Sequence, residues 1–283
     1  MKIQDVTIPA RDGYALSGRL FTPDKKSRGF VQIHSGTGIP QKLYGNFAQH
    51  LAEQGYTALT FDYRGIAASG PKNLKGFQAK ISDWGKLDMA GVLDWAKARY
   101  PEQKKIIIAH SMGGQMIGLM DNHRDIDQLV LIASSTGYWK DMSSPYKWLP
   151  AFFWYFLIPL HTRVFGYVNA MKIRQGENLP KNVALQWRKW CTDPNYFEVD
   201  FGKELHPLYF DEIDTPITAI QVEDDPLANT VTSNKLLGYY TKAEIEVQEV
   251  RPETLGVDKI GHTGYFSRKF KASLWNKLVT DLN

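Results

Sequence analysis

Three short segments carry side chains whose chemistry could be combined: Ala-His-Ser-Met-Gly-Gly at 109–114, Glu-Asp-Asp-Pro at 223–226 and Gly-His-Thr-Gly at 261–264. A serine hydroxyl is a weak nucleophile near neutral pH, so a base must take its proton as it attacks. An imidazole titrates close to that pH and suits the task. A carboxylate can hold the imidazole in one tautomer and stabilise its cation. Ser111, one of Glu223, Asp224 and Asp225, and His262 thus offer nucleophile, acid and base in that chain order. Taken alone, Ser111 reads equally well as a helix N-cap, and His262 as an ordinary surface or core histidine.

The elements around these segments decide whether they can meet. IQDVTIPA and ALSGRLFTP flank Asp12-Gly13 and read as a hairpin. FVQIHS, YTALTFDYR, KKIIIA, QLVLIASS, TPITAIQV and EIEVQEV read as short apolar strands. Between them, Tyr44, Phe47, Ala48 and Leu51 fall at helical spacing, with Gly55 ending the helix. A second helix, capped by Ser82 or Asp83, buries Met89, Val92, Leu93, Ala96 and Tyr100. Further helices are expected from Gly113 to Asn122, after TPITAIQV, and at the end, where Phe270, Leu274, Leu278 and Leu282 are in register. Strands alternating with helices imply an α/β fold with a mostly parallel sheet, the hairpin adding antiparallel strands at one edge. Ligands of such sheets bind at the carboxyl ends of the strands. Ser111, Asp225 and His262 each follow a predicted strand.

The strand rhythm stops between residues 137 and 206, a segment that holds Trp139, Trp148, Trp154, Trp187 and Trp190, five of the eight tryptophans. It reads as a helical cap inserted between core strands, the core comprising 1–136 and 207–283. An apolar face on that cap would also suit a homodimer contact.

At this point the sequence resembles the α/β-hydrolase family, over nearly the whole chain except the cap. AHSMG fits the family's nucleophile elbow with Ala109 for the first glycine, and FDYRGIAAS fits its Asp-x-Arg-Gly-x-Gly-x-Ser stretch with Ala67 for the second. HSGTG follows the third strand, where the family keeps its oxyanion loop, with Ser35 in place of glycine. EDDP and GHTG occupy the acid and histidine positions, and the layout looks closest to the monoacylglycerol-lipase-like and serine-aminopeptidase-like branch. The resemblance implies Ser111 as nucleophile, Asp225 as the acid ahead of Asp224, and His262 as base. It implies an oxyanion hole from the Met112 N–H and that of Gly36 or Thr37. Gly113 and Gly114 would give the elbow room on one side. For His34 and His110, hydrogen bonding that steadies the loops is expected rather than proton transfer. Asp62 and Arg64 are expected to hold a turn.

Other classes are disfavoured. The 34 basic residues are scattered among 30 acidic ones, for a net charge of +4, so no basic face for nucleic acid is expected. One cysteine, Cys191, allows no internal disulfide, and the histidines lack ligand spacing, so neither metal nor cofactor is expected. The GTG at 36–38 lacks the third glycine of a dinucleotide loop. The run LPAFFWYFLIPL is too short to span a bilayer, and the N-terminus lacks an apolar signal region, so a cytoplasmic protein is expected. The resulting expectation is a cofactor-independent serine hydrolase acting on an ester or related acyl bond of a small apolar or aromatic substrate. A thioesterase, peptidase or acyltransferase would use the same triad, and a catalytically silent binding protein of this fold is the alternative from another class.

Overall fold

A computed structural model describes residues 1–171 and 176–282 of the chain; residues 172–175 of the expected cap and residue 283 of the expected core lie outside that range. The hairpin strands β1 (Lys2–Pro9) and β2 (Ala15–Thr22) pair antiparallel around a turn in which Gly13 takes φ +83°. That left-handed conformation is one that glycine adopts without cost. β3 (Phe30–His34), β4 (Thr57–Phe61), β5 (Lys105–His110) and β6 (Gln128–Ile132) are almost wholly buried. Burial on both faces explains why they read as continuous apolar runs rather than alternating ones.

A two-stranded antiparallel pair, β7 (Tyr167–Val168) and β8 (Leu179–Pro180), lies in the interrupting segment. β9 (Ile217–Val222) and β10 (Ile245–Val250) then complete an eight-stranded sheet in the order β1-β2-β4-β3-β5-β6-β9-β10. Within that sheet only the β1–β2 and β2–β4 pairings are antiparallel.

Helix Gly45–Glu53 begins and ends close to its predicted place, and Ala90–Arg99 is the last part of the second predicted helix, ending just before Pro101. The second starts earlier, at Ile81, and Asp83 caps it from inside the first turn by accepting the Lys80 N–H at 2.8 Å. Met89, Val92, Leu93 and Ala96 are buried as expected, Tyr100 at the helix end is only half-buried against the core, and Phe270, Leu274, Leu278 and Leu282 close the opposite side of the sheet.

The helix expected from Gly113 to Asn122 is shorter: Met112–Gln115 is α-helical and a single tight turn, Ile117–Leu119, follows. Three glycines lower its intrinsic helicity. They also let the segment pack closer than a helix bearing side chains could. A Cβ on Gly118 would lie 2.4 Å from the Phe210 ring.

Between β6 and β9 the chain forms one long helical stretch, Trp148–Phe152, Phe153–Leu157 and Ile158–Val164, and a second helix, Lys181–Cys191. The first passes through Pro150 and Pro159. Pro150 sits in the first turn, where its missing N–H is not needed. Pro159 follows a widened turn at Phe153–Leu157, the usual relief for a ring inside a helix. Arg188 joins the two helices by donating to the Trp154 carbonyl at 2.8 Å.

Candidate active site

Ser111 follows β5 directly and adopts φ +52°, ψ −117°. A non-glycine residue there is strained and must be held by its surroundings. The Ser111 N–H donates to the Ile132 carbonyl of β6 at 3.1 Å. Gly113 lies so close to β3 that a Cβ would sit 2.7 Å from the His34 carbonyl oxygen, and one on Gly114 would sit 2.4 Å from Ser134 Oγ. The Ser111 side chain makes no capping bond to the helix that follows. Its Oγ lies instead 2.9 Å from His262 Nε2.

His262 stands at the start of a short helix, Gly261–Gly264, after β10. Its Nδ1 is 2.6 Å from Asp225 Oδ2. Asp225 Oδ1 accepts the N–H groups of Leu227 at 2.9 Å and Ala228 at 3.1 Å. Burial pushes the Asp225 carboxyl pKa upward. The His262 hydrogen bond and charge, with the two N–H groups, outweigh that and hold it below the usual carboxylate value. Asp225 is therefore a buried anion facing the imidazole. Asp224 is turned the other way, its two oxygens accepting the Ile260 and Gly261 N–H groups at 2.9 Å each. It pins the backbone that presents His262.

The two oxyanion-loop candidates differ. The Gly36 N–H donates to Tyr44 Oη at 3.0 Å, so it is not free for a substrate oxygen. Gly36 drops out as a donor for this reason, and Thr37, half-buried on the wall of the adjoining cavity, remains with Met112. Met112 opens a helix, where its N–H has no intrahelical acceptor. Glycine at 36 allows close packing, since a Cβ would lie 3.2 Å from the Ser111 Cβ and 2.9 Å from the end of the Ile39 side chain.

His110 is fully buried, and burial pulls its pKa down to about 3, so it is neutral. Its ring bonds Tyr44 Oη at 2.8 Å and the His262 carbonyl at 2.9 Å. His34 departs from expectation: its Nδ1 has no partner among the described residues, and its Nε2 reaches only Gln32 Oε1 at 3.5 Å. Its ring packs edge-on against Phe61. Asp62 accepts the Gln41 backbone N–H at 2.7 Å and its side-chain amide at 3.0 Å, while Arg64 bridges Asp12 and buried Asp88. Both hold turns. Ala67, in the place of a family glycine, has φ +41°, which explains the family's preference there.

Ser111 and His262 open into a cavity of about 390 Å³. Its walls are largely apolar: Leu149, Phe152, Phe153, Trp154, Leu157, Leu179 and Trp187 come from the 137–206 segment. Gln115, Ser135 and Tyr196 add polar groups: Tyr196 Oη donates to Gln115 Oε1 at 2.8 Å, and Gln115 Nε2 to the Ser135 backbone carbonyl at 2.6 Å. Cys191 also lines it, buried, with its thiol pKa pushed well up by burial and therefore protonated. Glu177 is the one carboxylate among the described lining residues. Neither Tyr44 nor Glu177 stood out in the sequence. Tyr44 was legible only as one apolar position of a helical stripe. No group of three metal-binding side chains occurs among the described residues, and no helix among them is long and apolar enough to cross a membrane.

The sequence pattern of the serine aminopeptidase S33 family matches residues 25–182, more than half of the chain. The chain belongs to that family of α/β hydrolases. The serine aminopeptidase match includes the Ser111 elbow and ends before Asp225 and His262, which the fold brings together with it. Solved structures share the fold. An esterase of Pyrococcus furiosus is 18% identical with a TM-score of 0.62, over 99% of this chain and 90% of that one. A carboxyl esterase of Bacillus coagulans, solved with glycerol, is 16% identical with a TM-score of 0.60, over 100% and 98%. A monoacylglycerol lipase of Paleococcus ferrophilus is 14% identical with a TM-score of 0.60, over 94% and 98%.

Proposed function

We propose that the protein is a cofactor-independent serine hydrolase that cleaves an ester or related acyl bond through an acyl-Ser111 intermediate. One observation carries this reading: His262 stands 2.9 Å from Ser111 Oγ and 2.6 Å from the Asp225 carboxylate, at the wall of an apolar cavity. In the first half-reaction Ser111 Oγ attacks the carbonyl carbon while its proton passes to His262 Nε2. Negative charge moves to the carbonyl oxygen, towards the Met112 and Thr37 N–H groups. Collapse returns the proton from His262 to the leaving group and leaves the acyl-serine. Water then repeats the sequence and frees the acid.

We read residues 137–206 as a cap that selects what enters, over a core of 1–136 and 207–283. Its aromatic walls support an apolar or aromatic acyl group. The single cysteine, buried and without a disulfide partner in the chain, supports a cytoplasmic setting. A second reading, an aminopeptidase, is favoured by Glu177, the one acidic residue among the described residues lining the cavity, which would offer a carboxylate to a substrate ammonium. Wild type and Ser111→Ala should be assayed on p-nitrophenyl esters, acyl-CoAs and aminoacyl amides. Turnover of the esters by wild type alone supports the esterase. Turnover of amides alone, lost in Glu177→Gln, favours the aminopeptidase. Undiminished hydrolysis by Ser111→Ala would overturn both.

A further inference from the structure

We infer that Tyr44 and His110 are positioning residues that fix the span between the 35–38 loop and the backbone carrying His262, so that Thr37 and His262 converge on Ser111. The inference rests on the reading of Ser111 as nucleophile and His262 as base.

The hydrogen bonds leave a single proton arrangement. His110 Nε2 lies 2.9 Å from the His262 carbonyl oxygen, which can only accept, so Nε2 carries the proton. The ring is neutral, because burial lowers its pKa to about 3. His110 Nδ1 is then an acceptor, and Tyr44 Oη donates to it at 2.8 Å. The same Tyr44 oxygen accepts the Gly36 N–H at 3.0 Å. One directed chain thus runs from residue 36 to residue 262 through two side chains with no exposed surface. Phe266 holds both rings, with centroids 4.7 Å from Tyr44 and 5.0 Å from His110. At its near end, Gly36 packs against Ser111 itself. Its far end is the backbone that Asp224 pins one and two residues earlier. Neither residue lines the cavity, so neither touches substrate. Their effect must pass through the spacing of the groups that do.

The test uses the full chain and a short p-nitrophenyl ester, with Tyr44→Phe, His110→Phe, the double variant and Ser111→Ala. Tyr44→Phe removes one oxygen and leaves the packed ring in place. It should lower kcat by about tenfold to a hundredfold, the cost of a small misplacement of reacting groups, with KM within about twofold. The double variant should lose no more than the worse single one, since one chain can be broken only once. The pH–rate profile should keep its shape, because His110 neither gains nor gives up a proton during the reaction. Wild-type kcat in Tyr44→Phe, losses that multiply in the double variant, or a loss confined to KM would overturn the inference. If His110→Phe does not fold, kcat of Tyr44→Phe decides alone. Activity retained in Ser111→Ala would instead sink the underlying reading, so the two failures are distinguishable.

Discussion

Asp224 and Asp225 are neighbours in sequence with different tasks. Asp225 faces the imidazole, and Asp224 holds two backbone N–H groups of the loop that presents it. Under the proposed mechanism Asp225→Asn should lower kcat by about 10³- to 10⁴-fold, through loss of the charge and the correct tautomer. Asp224→Ala should cost less activity but about 1–3 kcal/mol of stability, through the two orphaned N–H groups. Initial rates and urea melts check both; a greater loss of activity in Asp224→Ala would reverse the assignment. Buried His34 makes a second prediction. Burial holds its folded pKa near 3, below the unfolded value of about 6.5. Between those values the unfolded chain takes up a proton that the folded chain refuses. Stability is therefore full above about pH 6.5 and falls as the pH drops, by at most about 1.4 kcal/mol per pH unit for this residue. Asp88, which burial raises to about 7, acts with the opposite sign, so the comparison must be with His34→Gln. Wild type should lose stability relative to that variant between pH 7 and pH 5 in urea melts. A constant difference would contradict the assignment.

At the scale of elements, the buried strands were legible because the β-branched runs that place them are long and bounded by turn residues. The serine-bearing junction was legible for the same reason, and so were the segments holding the acid and the histidine. The helix after Ser111 was misread because periodicity carries no information about close approach. Gly113, Gly114 and Gly118 are there for contacts with His34, Ser134 and Phe210, which lie far away in sequence or on other elements. The Tyr44–His110 connection was hidden likewise: it joins residues 66 positions apart, and then reaches a carbonyl. This gives a test remote from the reacting atoms. Gly118→Ala should cost about 1–3 kcal/mol by overpacking against Phe210, lowering Tm while leaving kcat per folded molecule nearly unchanged. An unaltered Tm would show that the ring can move aside.

Over the whole molecule, the longest helical stretch of the interrupting segment is apolar on two faces. Trp154 and Ile158 point inward, while Trp148, Phe152, Phe156, Leu160 and Val164, four residues apart, stay 44–62% exposed. Its composition was readable from the tryptophan-rich sequence, but its double-sidedness was not, since both stripes are apolar. The proposal that two copies pair through this face predicts a mass near twice 32.2 kDa by light scattering, reduced to one chain by Phe156→Ser with Leu160→Ser. A monomeric wild type at micromolar concentration would contradict it.

Under the proposed mechanism Ser111 is a nucleophile made reactive by His262. The most direct test is peptide mapping by mass spectrometry after treating the folded protein with a fluorophosphonate. One adduct per chain is expected, on Ser111, formed far more slowly in His262→Ala and absent in Ser111→Ala. An unlabelled wild type, or labelling that persists undiminished in Ser111→Ala, would contradict it.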